Sequence, residues 1–164
     1  MSQATAAGCQ STGTADDRRW MRRAIDLAYR CPRSTTAYAV GAVIVGQDGT
    51  ETAHGYSREN DPHVHAEESA LAKVPDDPRL STATLYSTLE PCSHRRSRPD
   101  APCAQLIIRA GIRRVVIAWR EPALFATCEG VTLLTGAGVE IVELPDLAEM
   151  AQRPNSHLNL WAGP

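Results

Sequence analysis

Three side chains suited to binding a metal stand near one carboxylate in this sequence of 164 residues. They are His65, Cys92 and Cys103, and Glu67 follows His65 by two positions. Catalytic zinc sites take three protein ligands and leave a fourth position for water, whereas structural zinc sites take four ligands. Because the sequence offers no equally good fourth ligand, the set predicts a catalytic zinc that activates a water molecule near neutral pH.

A base must take the proton from that water, and two neighbouring carboxylates compete for this role. Glu67 is two residues from His65, about 200° around an ideal helix, whereas Glu68 at the third position lies nearer to the His65 face. Helical geometry alone therefore leaves Glu68 in contention. The pattern H-x-E followed by P-C-x-x-C is typical of zinc nucleobase deaminases, in which the glutamate is the acid/base and not a ligand.

On these residues the sequence resembles the cytidine-deaminase-like superfamily, and this resemblance selects Glu67 as the catalytic residue. One departure is the ten residues, 93–102, that separate the two cysteines instead of two. The deaminase domain of riboflavin biosynthesis has a longer loop between its cysteines, which carries Ser-His and ends in Pro-Cys. Ser93-His94 and Pro102-Cys103 resemble the two ends of that loop. Deoxycytidylate deaminases share the Val-Gly-Ala-Val-Ile-Val run at 40–45 and are the second comparison.

The resemblance implies a homodimeric, zinc-dependent hydrolytic deaminase that releases ammonia from an aminopyrimidine or a related nucleobase or nucleotide. It implies the metal ligands named above and substrate contacts at Ser57, Glu90, His94 and Arg98. Residues 93–98 include one His and three Arg, and the planar guanidinium suits phosphate oxygens. We expect His94 and Arg98 to contact a phosphate if the substrate carries one, although a solvated basic loop explains the composition equally well.

The sequence leaves alternatives for both the substrate and the functional class. Ala37-Tyr38-Ala39 stands where the riboflavin enzymes have Asn-Pro-x, and Ser57 stands in place of a His. A cytosine-type or other small-heterocycle deaminase is therefore an alternative. A catalytically silent, zinc-stabilised interaction module is an alternative of another class, but a structural site has no use for an unligated acid such as Glu67. Editing of tRNA bases is disfavoured by the net charge of −2 and by the extended loop.

Apolar periodicity and turn residues predict the elements that position these side chains. We predict helices at residues 16–30, 65–74, 104–110 (beginning at Cys103) and 127–135, and strands at 38–45, 51–56, 84–89, 114–119 and 138–144. The Gln47-Asp48-Gly49 turn predicts an antiparallel hairpin of strands one and two, whereas helix-sized connections make strands three to five parallel. The predicted fold is a three-layer α/β/α arrangement around a mixed five-stranded sheet, with the site beyond the strand ends.

Length and composition predict the domain organisation and the cellular compartment. Residues 1–13 contain no long aliphatic side chain after Met1, so we expect a disordered tail followed by one deaminase domain at 14–164. No run approaches the roughly eighteen apolar residues of a membrane helix, and residues 1–13 lack the basic and apolar regions of a signal peptide. An odd number of cysteines, five, indicates a reducing compartment, and we expect a cytoplasmic protein. The charge balance does not indicate an extended nucleic-acid surface.

Overall fold

A mixed five-stranded sheet organises the protein in a computed structural model that describes residues 12–122 and 128–158. The strands are β1 (Gly41–Val45), β2 (Glu51–Tyr56), β3 (Thr84–Leu89), β4 (Arg114–Trp119) and β5 (Glu140–Glu143), in the order β2-β1-β3-β4-β5. β1 is antiparallel to both β2 and β3, whereas β3, β4 and β5 are parallel. The predicted α/β fold, with strands three to five parallel, is confirmed.

Five α-helices connect and cover the described strands. They are α1 (Ala15–Ala28), α2 (Ala66–Ala72), α3 (Cys103–Arg109), α4 (Gly130–Gly136) and α5 (Ala148–Gln152). α1 begins with a capping box in which the Thr14 side chain accepts from the Asp17 N–H and the Asp17 carboxylate accepts from the Thr14 N–H. This pairing satisfies donors that a helix start otherwise leaves free, which explains why the helix begins here.

Two glycines show that helices lie on both faces of the sheet. Gly41 in β1 is so close to the backbone of α1 that a Cβ would overlap the Ala24 carbonyl oxygen, and Gly55 in β2 approaches the Ala66 carbonyl oxygen of α2 in the same way. Gly55 pairs with Ala42. Because cross-strand partners share a face and successive residues alternate, α1 and α2 lie on opposite sides of the sheet.

The core is correspondingly two-sided. All five residues of β1 are buried, as are the last five of β4, which is the pattern of strands covered on both faces. Fully buried side chains include Ile44, Leu85 and Ile117, one from each of the three central strands. No helix in the described part of the chain is long and apolar enough to cross a membrane.

The predicted element boundaries need corrections. The strand predicted from residue 38 begins at Gly41, because the Ala39 backbone pairs instead with the Asn155 amide, at 2.7 and 3.0 Å. The fifth strand is shorter than predicted, since Gly138, with φ of 83°, is part of the turn that leaves α4. Helix α5 was not predicted. Residues 1–11 of the predicted tail and residue 127 of the predicted fourth helix lie outside the described residues, and α4 begins at Gly130.

Candidate active site

The three predicted metal ligands converge at one edge of the sheet. His65 is the N-cap residue of α2, Cys92 follows the end of β3, and Cys103 is the first residue of α3. Their ligand atoms all lie within 4.8 Å of one another. His65 Nδ1 is 3.6 Å from Cys92 Sγ and 3.5 Å from Cys103 Sγ.

These separations fit a single tetrahedral zinc. Zinc binds sulfur at about 2.3 Å and imidazole nitrogen at about 2.0–2.1 Å, so a tetrahedral angle places a nitrogen and a sulfur ligand about 3.5 Å apart. The observed nitrogen–sulfur distances match this value. One imidazole and two thiols are also the donor types that zinc prefers.

The start of α3 supports the negative charge on Cys92. The Cys103 N–H donates to Cys92 Sγ at 3.2 Å, and the Ala104 N–H donates to the Cys92 carbonyl oxygen at 3.1 Å. Hydrogen bonding from Cys103, together with the nearby His65, lowers the pKa of the Cys92 thiol, although burial opposes this shift. A thiolate, which is the form that binds metal, is therefore favoured at this position.

Glu67 faces the same site but is not part of the cluster of ligand atoms. Its side chain is buried, and the Ser87 hydroxyl of β3 donates to its Oε1 at 2.7 Å. Burial raises the pKa of the Glu67 carboxyl above its ordinary value. Glu68, the competing carboxylate, turns away and accepts hydrogen bonds from Arg95 and Arg98. The geometry therefore favours Glu67 as the acid/base, although its catalytic role stays a prediction.

A cavity of about 780 Å³ opens above the site. His65, Cys92 and Glu67 line it, and so do three of the four predicted substrate contacts: Ser57, Glu90 and His94. Ser57 is buried, and its Oγ accepts the Val40 N–H at 3.1 Å.

Glu90 also supports the fold of the surrounding backbone. Its two carboxylate oxygens accept the backbone N–H groups of Val131, at 3.0 Å, and Glu121, at 3.3 Å. Glu90 thus holds the start of α4 and the end of β4 beside the cavity, and part of its hydrogen-bonding capacity is already used.

Arg98, the fourth predicted contact, is not among the residues that line the cavity. Its guanidinium pairs with Glu68 and, at 3.5 Å, with Asp61. Arg96 lines the cavity instead and has no ion pair in the described part of the chain. The basic loop does overhang the site as expected, but the arginine it presents is Arg96.

Comparison with known proteins identifies the family. The model of the cytidine and deoxycytidylate deaminase zinc-binding region matches residues 14–119. The chain belongs to this family. Zinc is the metal of these deaminases, and His65, Cys92 and Cys103 are positioned to hold it.

Relatives of this chain come from riboflavin biosynthesis. A diaminohydroxyphosphoribosylamino-pyrimidine deaminase of Schizosaccharomyces pombe is 42% identical over 128 residues, which are 76% of this chain and 31% of that protein. RibD of Acinetobacter baumannii superimposes with a TM-score of 0.74 at 34% identity, over 86% of this chain and 38% of that chain. The chain spans about a third of the length of the curated relatives it matches.

The second comparison made from the sequence is more distant. A dCMP deaminase from the cyanophage S-TIM5 superimposes with a TM-score of 0.61 at 23% identity, over 80% of this chain and 99% of that chain. A likeness at this identity shows the fold alone. The resemblance to riboflavin-biosynthesis deaminases is thus confirmed as the nearer of the two.

Several residues of the cavity were not predicted from the sequence. Tyr38, Arg58 and Glu121 all line the cavity and had no assigned role. Glu121 comes two residues after the end of β4, so the rule that sites lie beyond strand ends could have found it. The same rule could have found Arg58, which comes two residues after the end of β2, because β2 runs in the same direction as β3 and β4. Arg58 adopts a positive φ of 61°, and its guanidinium donates to the carbonyl oxygens of Pro32 and Tyr38.

Proposed function

We propose that this protein is a hydrolytic deaminase of a phosphorylated aminopyrimidine of the riboflavin-pathway type, which it converts to the corresponding pyrimidinone and ammonia. The observation that carries the proposal is the buried Glu67 carboxylate, which lines the cavity beside three zinc ligands without being one of them. The 42% identity to a diaminohydroxyphosphoribosylamino-pyrimidine deaminase supports the substrate class. A silent structural module would need no such acid.

Glu67 moves the protons of the reaction. Zinc, when bound, supplies the Lewis acidity that makes a water molecule nucleophilic at neutral pH. Glu67 takes a proton from that water and delivers it to the ring nitrogen, so that the amine-bearing carbon becomes electrophilic. The water oxygen adds to this carbon, and Glu67 then carries the second water proton to the amine, so that the C–N bond breaks and ammonia leaves. The raised pKa of Glu67 and its hydrogen bond from Ser87 suit a group that must both accept and return a proton.

The loop between the cysteines recognises the phosphate in this proposal. His94 and Arg96 line the cavity, whereas the guanidinium of Arg98 is paired with two carboxylates. We therefore assign the first phosphate contacts to His94 and Arg96 and keep Arg98 as a support of the loop. Ser57 and Glu90 are proposed to face the heterocycle, because both line the cavity on the side of the strand ends.

The oligomeric state, the compartment and the domain bounds are proposed from the family resemblance. We propose a homodimer in the cytoplasm, with residues 14–164 as one deaminase domain and 1–13 as a tail. The single sheet and continuous core of the described residues support one domain. Sedimentation analysis would test the dimer.

An ammonia-release screen tests the function. Zinc-loaded protein is given cytosine, cytidine, dCMP, the phosphoribosyl diaminopyrimidine and its dephosphorylated form. We expect the phosphorylated diaminopyrimidine to give the highest kcat/KM. A preference for dCMP would replace the substrate with a cytosine nucleotide, and equal turnover of the phosphorylated and dephosphorylated forms would remove the phosphate contact.

A further inference from the structure

Arg95 has a buried guanidinium beside the metal ligands, which is rare for an arginine. Its side chain is only 2% exposed. It donates to Glu68 Oε2 at 2.8 Å, to the His63 carbonyl oxygen, and to Ser97 Oγ at 3.3 Å. All three nitrogens of the guanidinium therefore have partners, and two of those partners flank the ligand His65 in the chain.

The Glu68 carboxylate completes this cluster. Its Oε2 accepts the backbone N–H of His65 at 3.3 Å, and its Oε1 accepts from Arg98. Glu68 is the third residue of α2, where a carboxylate is favoured by the free N–H groups and by the helix dipole. Two arginines of the loop at 93–102 thus converge on one carboxylate that also binds the backbone of a metal ligand.

The cluster connects all three ligands, because Cys92 and Cys103 are the two ends of the same loop. A buried ion pair is an inefficient source of stability, since two charges lose their hydration and apolar side chains of similar volume often do as well. Hydrogen bonds in fixed directions, in contrast, determine how two backbone segments are oriented. This difference indicates that the pair serves orientation more than stability.

We propose that Arg95 and Glu68 are positioning residues, which hold the backbone on both sides of His65 so that Nδ1 faces the two thiolates before zinc arrives. Zinc then binds without first ordering the loop. The proposal concerns the zinc site and does not depend on which substrate is deaminated.

The test measures zinc release to an excess of chelator from the zinc-loaded protein. Arg95→Met removes the charge and the hydrogen bonds but keeps much of the side-chain volume. We expect its zinc affinity to fall about 10- to 100-fold, the range typical for loss of a residue that orients a ligand, and its zinc release to be correspondingly faster. Arg96→Met is the matched control, because Arg96 is the next residue of the same loop and is exposed and unpaired among the described residues.

Melting of the metal-free variants separates positioning from simple support of the loop. A supporting role would lower the melting temperature of Arg95→Met but leave its zinc release within twofold of Arg96→Met, and that result would overturn the proposal. Arg95→Lys, which keeps the charge without the planar fork, should release zinc at an intermediate rate. If Arg95→Met does not fold, Glu68→Gln decides by the same criterion, because it removes the charge that pairs with Arg95 and Arg98 at nearly unchanged side-chain volume. No substrate is used, so a failed deaminase assay would leave this outcome unaffected.

Discussion

Replacing Glu67 by Gln should abolish deamination while the zinc site stays intact. The amide has the size of the carboxylate and can still accept the hydrogen bond that Ser87 donates at 2.7 Å. It cannot take or return a proton. General acid–base catalysis contributes about 10²- to 10⁴-fold to a rate, and one carboxylate serves every proton transfer here. We therefore expect kcat/KM to fall toward the upper limit, about 10⁴-fold, which corresponds to about 5.5 kcal/mol.

The same change should not destabilise the metal-free protein. Burial raises the pKa of Glu67, so the ionised carboxylate disfavours the folded state once the pH exceeds the unfolded value of 4.5. At pH 7 the Glu67→Gln variant is free of this penalty, and its free energy of unfolding should equal or exceed that of wild type. Below about pH 4 the two proteins should converge, since both side chains are then neutral.

A coupled ammonia assay, metal analysis and urea unfolding check these three expectations. Glu59→Gln is the matched control, because Glu59 makes its hydrogen bonds to Ser69 and Lys73 and does not line the cavity. The control should retain near-wild-type turnover. A Glu67→Gln variant that kept more than about a tenth of the wild-type kcat/KM would refute Glu67 as the proton shuttle, given the range expected for such a group.

Four further substitutions probe the metal, the phosphate and the core. Cys103→Ala should lose most of the zinc that wild type binds, by metal analysis, because two ligands hold the ion far less tightly. Arg96→Ala should lower the preference for a phosphorylated over a dephosphorylated substrate by about ten- to a hundredfold, whereas Arg98→Ala should change this ratio little. Although burial opposes it, hydrogen bonds led by that from Arg114 hold the pKa of Asp17 well below its ordinary 3.8. This stabilisation is present above about pH 4 and is lost in acid, so Asp17→Asn should flatten the acid decline in unfolding free energy measured in urea.

The sheet could be predicted because its strands carry strong local patterns. The runs at Thr84–Leu89 and Arg114–Trp119 were predicted with the bounds the structure has, since both are β-branched or apolar and end at polar or Pro residues. The predicted start of β1 was wrong, because the side chain of the distant residue Asn155 makes the hydrogen bonds of the Ala39 backbone. No local pattern reports such a contact.

The metal ligands were predictable for a different reason, since zinc restricts residue types and spacing. Helical geometry could not separate Glu67 from Glu68, because their distinction depends on partners far away in the sequence. Ser87 lies beside Glu67, and Arg95 and Arg98 lie beside Glu68. The placement of Arg98 outside the cavity lining could not be predicted either, since composition shows that a loop is basic but not which guanidinium is already paired.

Ammonia release by the wild-type protein is the decisive measurement for zinc-dependent deamination of a phosphorylated aminopyrimidine. The phosphoribosyl diaminopyrimidine should yield one ammonia per molecule consumed with zinc-loaded protein. Turnover should disappear when a chelator removes the zinc and return when zinc is restored. Fully zinc-loaded, folded protein that released no ammonia from this compound or from any cytosine compound would contradict the account.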